Sequence, residues 1–328
     1  MTVSAWLCKL DRVTPADRAL FELGGWLRAR DYRFVTPTPA THQRVNARAG
    51  NAETATVEGA LGWSRPFRAG ALPEVERWLA DGGVLRRDDT WCRSAVRFST
   101  IAADAAAGAQ IDDAALVMHS ASPTTDPASV FFGPDTYRFI AALRRHVRPA
   151  NRLVDIGAGS GAGGLAMLDR AQRVVLADIN SHALGYARIN RALAGAPGDV
   201  VELVESDVLA GVAGDIDAVI ANPPYLADPH HRVYRDGGGA LGIELSLRIV
   251  RESLARLAPG GQLLLYTGSP VIEGSHPLRD ALRPILATRR CRATWSELDP
   301  DVFGEELETP AYDHVDRIAV ITLVVDAA

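Results

Sequence analysis

The sequence predicts an α/β protein in which a doubly wound, mostly parallel sheet of seven strands follows a smaller mixed α+β domain. Three observations carry that expectation. From residue 135 onward, short apolar strands alternate with amphipathic helices, the order that builds a parallel sheet with crossover helices. The first of these strands runs into a glycine-rich turn, Gly157-Ala158-Gly159-Ser160-Gly161, of the kind that opens a ligand crevice at the carboxyl end of such a sheet. A polar, Pro-containing stretch from Ser120 to Pro127 sets this half apart from the front segment, which places the domains at residues 1–125 and 126–328.

The elements follow in order. Residues 14–30 read as an amphipathic helix with Leu20, Leu23 and Leu27 on one face. Shorter helices are expected over 53–62 and 73–80, then short strands over Val84–Asp88, Trp91–Ala102 and Ala115–Ser120. After the linker, Asp135 is placed to cap a helix whose Thr136, Ile140, Leu143 and Val147 share a face. Strand 153–156, the glycine turn and a helix to residue 170 come next, then strand 173–178, a helix from Ser181, and strands 200–206 and 217–222. Ile243, Leu247, Val250, Leu254 and Leu257 mark a long helix that Pro259-Gly260-Gly261 stops. Strands over 262–268, 293–299 and 317–325 complete the sheet. Short apolar strands suit a sheet buried on both faces.

Composition narrows the class. The 328 residues, 47% hydrophobic and 23% charged, are ordinary for a soluble globular protein and exceed one average domain. No apolar run is long enough to span a membrane. The opening MTVSAWLCKLDRV lacks a basic-then-apolar leader, so the expected location is the cytoplasm. Cys8, Cys92 and Cys291 are too few and scattered for a disulfide framework or a Cys-rich zinc site, and no metal is expected. The net charge of −5 argues against a protein that coats nucleic acid. Within residues 26–100, however, 12 basic side chains face 8 acidic ones, an excess of four that suits an anionic partner.

The chemistry is carried by motifs at the strand ends. Asp155 lies next to the end of the first strand, and Gly157, Gly159 and Gly161 let backbone approach a ligand; these four are cofactor-binding candidates. Asp178, 21 residues after Gly157, ends the second strand, where a carboxylate accepts the hydroxyls of an adenosine ribose, in NAD and S-adenosylmethionine equally. Asp207, after the third strand, is placed to accept from an adenine amino group. Asn222-Pro223-Pro224-Tyr225 ends the fourth strand, where the Pro pair belongs just beyond the ladder. The Asn222 side-chain oxygen and the Pro223 carbonyl can accept both hydrogens of one NH2 group, and Tyr225 can stack on the flat group bearing it. An amide or aromatic amine has a delocalised lone pair. Two acceptors on its hydrogens favour a tetrahedral nitrogen and aim that pair at an electrophilic methyl. Asn222, Pro223 and Tyr225 are therefore the catalytic candidates, with Asn222 also bordering the cofactor.

These residues carry a family resemblance. Residues 129–328 resemble the class I S-adenosylmethionine-dependent methyltransferases of the small-domain, NPPY-containing kind, with a Rossmann-like fold, and among them the release-factor glutamine-N5 methyltransferases. Phe131-Phe132-Gly133-Pro134-Asp135-Thr136 and Arg235-Asp236-Gly237-Gly238 with Leu241-Gly242-Ile243-Glu244-Leu245 resemble the segments flanking the motifs there. The family's Arg-Pro-Glu-Thr-Glu-like string reads Gly-Pro-Asp-Thr-Tyr here, and the front 125 residues do not resemble its all-helical substrate domain. The resemblance implies S-adenosylmethionine as cofactor, Asn222 at the substrate amide, and a macromolecular substrate, a protein such as a release factor or RNA. A protein glutamine amide leads; the alternatives are adenine N6 of rRNA, tRNA or DNA, an NAD-dependent oxidoreductase, and a non-enzymatic binding module. The front domain is expected to grip the substrate, with Arg28, Arg30, Arg33, Arg44 and Arg48 close in sequence. His230 and His231, and the acidic run Glu305, Glu306 and Glu308, read as solvated loops, and Cys291 as packing.

Overall fold

The computed structural model describes residues 14–102, 114–124, 126–228, 232 and 234–328. Cys8, His230 and His231 lie outside the described residues. The chain forms two compact units: one runs through Tyr137 and includes Gly185–Asp199, and the other comprises Arg138–Leu184 and Val200–Ala328.

In the front unit, α1 (Pro15–Arg28) starts on a capping box. The Thr14 hydroxyl accepts from the Asp17 amide and the Asp17 carboxylate from the Thr14 amide, each at 3.1 Å. Its Leu20, Leu23 and Leu27 are buried as their spacing predicts. Next come α2 (Pro39–Asn46), α3 (Val57–Leu61), β1 (Phe67–Arg68), α4 (Pro73–Asp81), β2 (Leu85–Asp88), β3 (Trp91–Ser94), β4 (Val96–Ala102) and β5 (Ala114–Ser120). Helix α2, PATHQRVN, has no apolar stripe for sequence reasoning to find. It rests on Thr38, which accepts from the Thr41 amide, and on Pro39 in its first turn.

The single strand expected over 91–102 is two strands in two sheets. β3 lies between β1 and β2 in an antiparallel sheet, whereas β4 pairs with β5. Between them the Ser94 hydroxyl donates to the Val96 carbonyl at 2.7 Å and accepts its amide at 3.1 Å, a local bond that turns the chain out of one ladder into the next.

The second unit continues with α5 (Pro134–His146), β6 (Ala150–Ile156), α6 (Ala162–Leu165), β7 (Ala171–Asp178), α7 (Ser181–Leu193), β8 (Val201–Glu205), β9 (Ile216–Ala221), α8 (Glu244–Arg256), β10 (Leu257–Val271), α9 (Pro277–Leu286), β11 (Cys291–Asp299) and β12 (Arg317–Ala327), with the first turn of α5 and the last turns of α7 belonging to the front unit. The seven strands run in the order β11-β12-β10-β9-β6-β7-β8. β12 is antiparallel to both its neighbours and the remaining pairs are parallel. From β6 the chain builds outward through β7 and β8, then returns to lay β9 on the other side of β6. That reversal is a topological switch point, where open α/β sheets bind ligands. Val154, Val219, Leu263 and Val325 show almost no exposure, so the central strands are buried as apolar strands of a doubly covered sheet must be.

Two further expectations need correction, and one helix is new. α5 begins at Pro134, so Asp135 lies in its first turn and not at its cap. The helix expected to reach residue 170 is the four-residue α6, because Gly163 and Gly164 weaken a helix and press their backbone against Phe139 and Leu176, where a Cβ would come within 2.6 and 2.5 Å. Helix α9, which was not expected, buries Leu278, Leu282 and Ile285.

Candidate active site

The register of the sheet assembles the site. Ile156 pairs with Ala177 of β7 on one side and Ala221 of β9 on the other. Gly157, Asp178 and Asn222 are thus the next residues of three adjacent parallel strands, all at the carboxyl edge and at the switch point. Residues scattered over 65 positions of sequence become neighbours because β6 is flanked by both strands.

The turn after β6 needs its glycines: Gly157, Gly159 and Gly161 have φ of 65°, 56° and 79°, a region other residues enter only at a cost. A Cβ at Gly157 would meet nothing within 4 Å, so the backbone there opens on free space. Asp178 fastens the turn. One carboxylate oxygen accepts the Gly159 amide at 2.7 Å and the other the Asn180 amide at 2.8 Å. Asn180 in turn accepts from the His182 amide at 3.0 Å, starting α7. Burial pushes the Asp178 carboxyl above the usual range, against the pull of its backbone donors. Asp155 is more enclosed. It accepts the Gly164 amide at 2.7 Å, and burial pushes it up to about 7, with Asp178 adding to the rise. Its carboxylate therefore ties β6 to α6 beneath the turn.

Asn222 is half-buried, and its side chain makes no hydrogen bond to another described residue. Pro223 is buried behind it. Tyr225 is 7% exposed. Its ring lies against Gly268, where a Cβ would sit 2.2 Å away, and meets Phe303 edge-on at 5.9 Å. The side chain thus anchors the Asn-Pro-Pro segment in an apolar cluster with Tyr312, Val315 and Ile318.

Asp207 lies two residues beyond β8, which ends at Glu205. Arg248 on α8 donates to the Asp207 carboxylate at 2.8 Å and to Glu252 at 2.7 Å, while Glu252 accepts from the Leu209 amide at 3.3 Å. This bridge holds the post-β8 loop onto α8. The i, i+4 spacing of Arg248 and Glu252 was readable; its partner in the loop was not.

Asp228, Arg232 and Arg235, beyond Tyr225, are tied by charges that the sequence did not mark as a group. Arg232 donates to both oxygens of Asp228, at 2.6 and 2.7 Å, and Arg235 pairs with Glu306. The Asp228 side chain is fully buried, and these guanidinium bonds hold its carboxyl well below the usual range. Glu306, expected in a solvated loop, is buried in a 3₁₀ turn, Gly304–Glu308, as the counter-charge of Arg235. The Tyr312 hydroxyl adds a bond from the Ala227 amide at 2.8 Å. Cys291 opens β11, half-buried against the core.

In the front unit, Arg28 donates to the Leu193 carbonyl at 2.7 Å, Arg30 lies over Trp26 at 3.9 Å, and Arg33 approaches Asp31 at 3.9 Å. Arg44 and Arg48 are exposed. Among the described residues, no helix is long and apolar enough to cross a membrane, and no group of three or more His, Cys, Asp or Glu could hold a metal.

A family model described as the methyltransferase small domain matches residues 135–288. The release factor glutamine methyltransferase of Deinococcus radiodurans is 34% identical over 201 residues, 56% of this chain and 66% of that protein. The protein of the same name from Mycobacterium leprae is 30% identical over 217 residues, 52% of this chain and 72% of its own. Ribosomal RNA small subunit methyltransferase C of Pseudomonas aeruginosa is 31% identical over 132 residues, 38% of this chain and 36% of its own. The chain thus spans just under two thirds of the first relative and little more than a third of the last.

Proposed function

The chain belongs to the small-domain, NPPY-containing methyltransferases of the class I S-adenosylmethionine-dependent fold, which sets aside the NAD-dependent alternative, and from that premise we propose that it methylates the side-chain amide of a protein glutamine. One observation carries the reading: Asn222 presents a side chain with no hydrogen-bond partner among the described residues, at the switch point beside the open glycine turn, on a segment anchored by Pro223 and Tyr225.

The crevice fits the cofactor. Asp178 is a buried carboxylate with acceptor capacity left for ribose hydroxyls, Gly157, Gly159 and Gly161 would clear backbone for the chain of the methionine part, and Asp207, whose carboxylate also accepts from Arg248, is assigned the adenine amine. When bound, S-adenosylmethionine supplies an electrophilic methyl on a sulfonium sulfur. The protein's own task is to hold the acceptor. The Asn222 side-chain oxygen and the Pro223 carbonyl each take one N–H of the glutamine amide, which draws the nitrogen lone pair out of conjugation and toward the methyl. The bound cofactor would give up the methyl and keep the bonding pair on its sulfur, and the methylated amide nitrogen would lose its proton to water. The proton becomes acidic only after transfer, so no strong base is needed in the crevice. Positioning supplies most of the acceleration.

The front domain, residues 1–125, with the basic excess of its segment 26–100, is assigned the grip on the macromolecule. Remote contacts of that kind lower the barrier by orienting the reacting group. A second reading takes RNA as the substrate class, supported by the likeness to a ribosomal RNA methyltransferase, and the N6 amine of an adenine would offer the same planar NH2 to the same two acceptors. The experiment that separates them labels a cell extract with methyl-tritiated S-adenosylmethionine and the purified protein. Protease should release the label and RNase should leave it. Label removed by RNase alone would transfer the acceptor to RNA.

A further inference from the structure

A second surface of the front unit has features that the methyl-transfer site does not use. The three-stranded sheet β1-β3-β2 packs one face inward: Phe67 and Cys92 are fully buried. Residues opposite Trp91 and Arg93 in the ladder are Arg68 and Asp88, and Arg86, respectively. Side chains directly opposite in an antiparallel pair share a face, as do residues i and i+2. Trp91, Arg93, Arg86, Arg68 and Asp88 therefore share the outer face, and a groove of about 500 Å³ runs over it, bordered by Glu53 and Pro66.

Charge and shape there are specific. Trp91 is half-buried, so its indole is fixed without being enclosed. The Arg68 guanidinium lies over one side of the ring, 4.6 Å from its centroid. Glu53 offsets Arg68 at 3.7 Å, and Glu76 neutralises Arg87, which also lines the groove, so that Arg86 and Arg93 carry its uncompensated charge. Arg86 and Arg93 are exposed and have no carboxylate in ion-pair range among the described residues. The acid on this face, Asp88, sits at the Trp91 end of the ladder, away from the Arg86–Arg93 pair.

We propose that this outer sheet face is a docking groove for single-stranded RNA, with Trp91 as a stacking platform and Arg86 and Arg93 as phosphate contacts. An aromatic ring set in a basic groove is the arrangement that binds single strands without reading sequence, because every base has a flat face. An acidic peptide would use the two arginines but has little use for a fixed, half-open indole, which is why the observations favour RNA. The groove lies wholly within the front unit, and binding there requires neither cofactor nor methyl transfer. Its failure therefore leaves the glutamine reading standing, and failure of that reading leaves the groove standing.

The test is fluorescence anisotropy of a labelled single-stranded RNA of about 12 nucleotides, within the span of such a groove, titrated with full-length protein at several salt concentrations. Wild type should bind with a Kd that rises steeply with salt. The double variant Arg86→Ala, Arg93→Ala should bind at least about tenfold more weakly and lose about 1.4 from the slope of log Kd on log salt, two phosphates at roughly 0.7 each. Trp91→Ala should weaken binding by about tenfold or more with the slope unchanged, and Trp91→Phe should restore most of it. All three positions face solvent, and circular dichroism with a melting curve checks that each variant is folded. Equal affinity and slope in wild type and the arginine double variant would overturn the proposal. So would a poly-glutamate peptide that binds the groove as tightly as the RNA, which would make the partner an acidic protein segment.

Discussion

Replacing Asp178 by Ala removes the group that fastens the glycine turn and that the proposed function assigns to the cofactor's ribose. Its two oxygens accept the amides of Gly159 and Asn180 at 2.7 and 2.8 Å, each still having a lone pair for a ribose hydroxyl. A hydrogen bond to a charged group contributes about 1.5–3 kcal/mol, so losing one ribose contact alone weakens S-adenosylmethionine binding by about tenfold to a hundredfold. Losing the turn's tether adds to that, while removing a desolvated carboxylate offsets part of the cost to folding. Asp178→Asn is no substitute: the amide keeps one acceptor and presents N–H to whichever backbone amide it no longer serves. The decisive assay is a thermodynamic cycle by calorimetry, in which wild type and Asp178→Ala are each titrated with S-adenosylhomocysteine and with its 2′-deoxy analogue. Wild type should bind the deoxy form at least about tenfold more weakly, and the variant should hardly distinguish the two, because the partner of the hydroxyl is gone. If the variant discriminates as strongly as wild type, Asp178 does not touch the ribose and the assignment of the crevice fails.

Three other changes probe the same unit. Asn222→Ala should lose on the order of 10²–10³ in single-turnover rate with calorimetric cofactor affinity nearly unchanged; a rate loss fully matched by lost affinity would move Asn222 into the cofactor pocket. Asp155 titrates at about 7 in the fold against an ordinary 3.8, so the native state holds the extra proton and the stability tied to it is full below the ordinary value and lost as pH rises through about 7. Asp155→Asn should flatten the fall in melting temperature between pH 5 and pH 8, interval ends chosen to bracket that about-7 transition; parallel curves for variant and wild type would contradict the burial argument. Arg235→Ala leaves Glu306 buried without its partner and should destabilise the protein by about 3 kcal/mol in urea unfolding, as broken buried pairs do, whereas a loss below about 0.5 kcal/mol, the scale of an exposed pair, would return Glu306 to the solvated role its sequence suggested.

The sheet was readable in the sequence because its strands are buried on both faces and must be short and apolar, and because the glycine turn and the Pro pair mark two strand ends. Elements whose stability comes from elsewhere were not readable. Polar α2 depends on a threonine cap, α9 carries Pro284 inside its apolar stripe, and β3 and β4 look like one strand until Ser94 bends the chain. Within the site, Gly157, Asp178 and Asn222 could be nominated singly from local chemistry, and their meeting followed once strand order was assumed. Of the ion pairs around Asp228, only the i, i+4 pair with Arg232 had a local signal. Arg235 and Glu306 are 71 residues apart, and an acidic run gives no hint of which member the fold will bury. Tyr225 shows the same limit from the other side: its ring was assigned by motif, while packing against Gly268 and Phe303 is a property of the folded chain.

The account turns on one atom, the nitrogen that receives the methyl. The measurement that reaches it most directly is mass spectrometry of macromolecules methylated by the purified protein with isotopically labelled S-adenosylmethionine, with fragmentation to locate the label. A labelled methyl on the side-chain nitrogen of a glutamine, absent when Asn222→Ala replaces wild type, is the predicted result. A methyl on carbon, oxygen or sulfur, or one transferred undiminished by the Asn222 variant, would contradict the claim that two acceptors at the end of β9 hold a planar NH2 for attack.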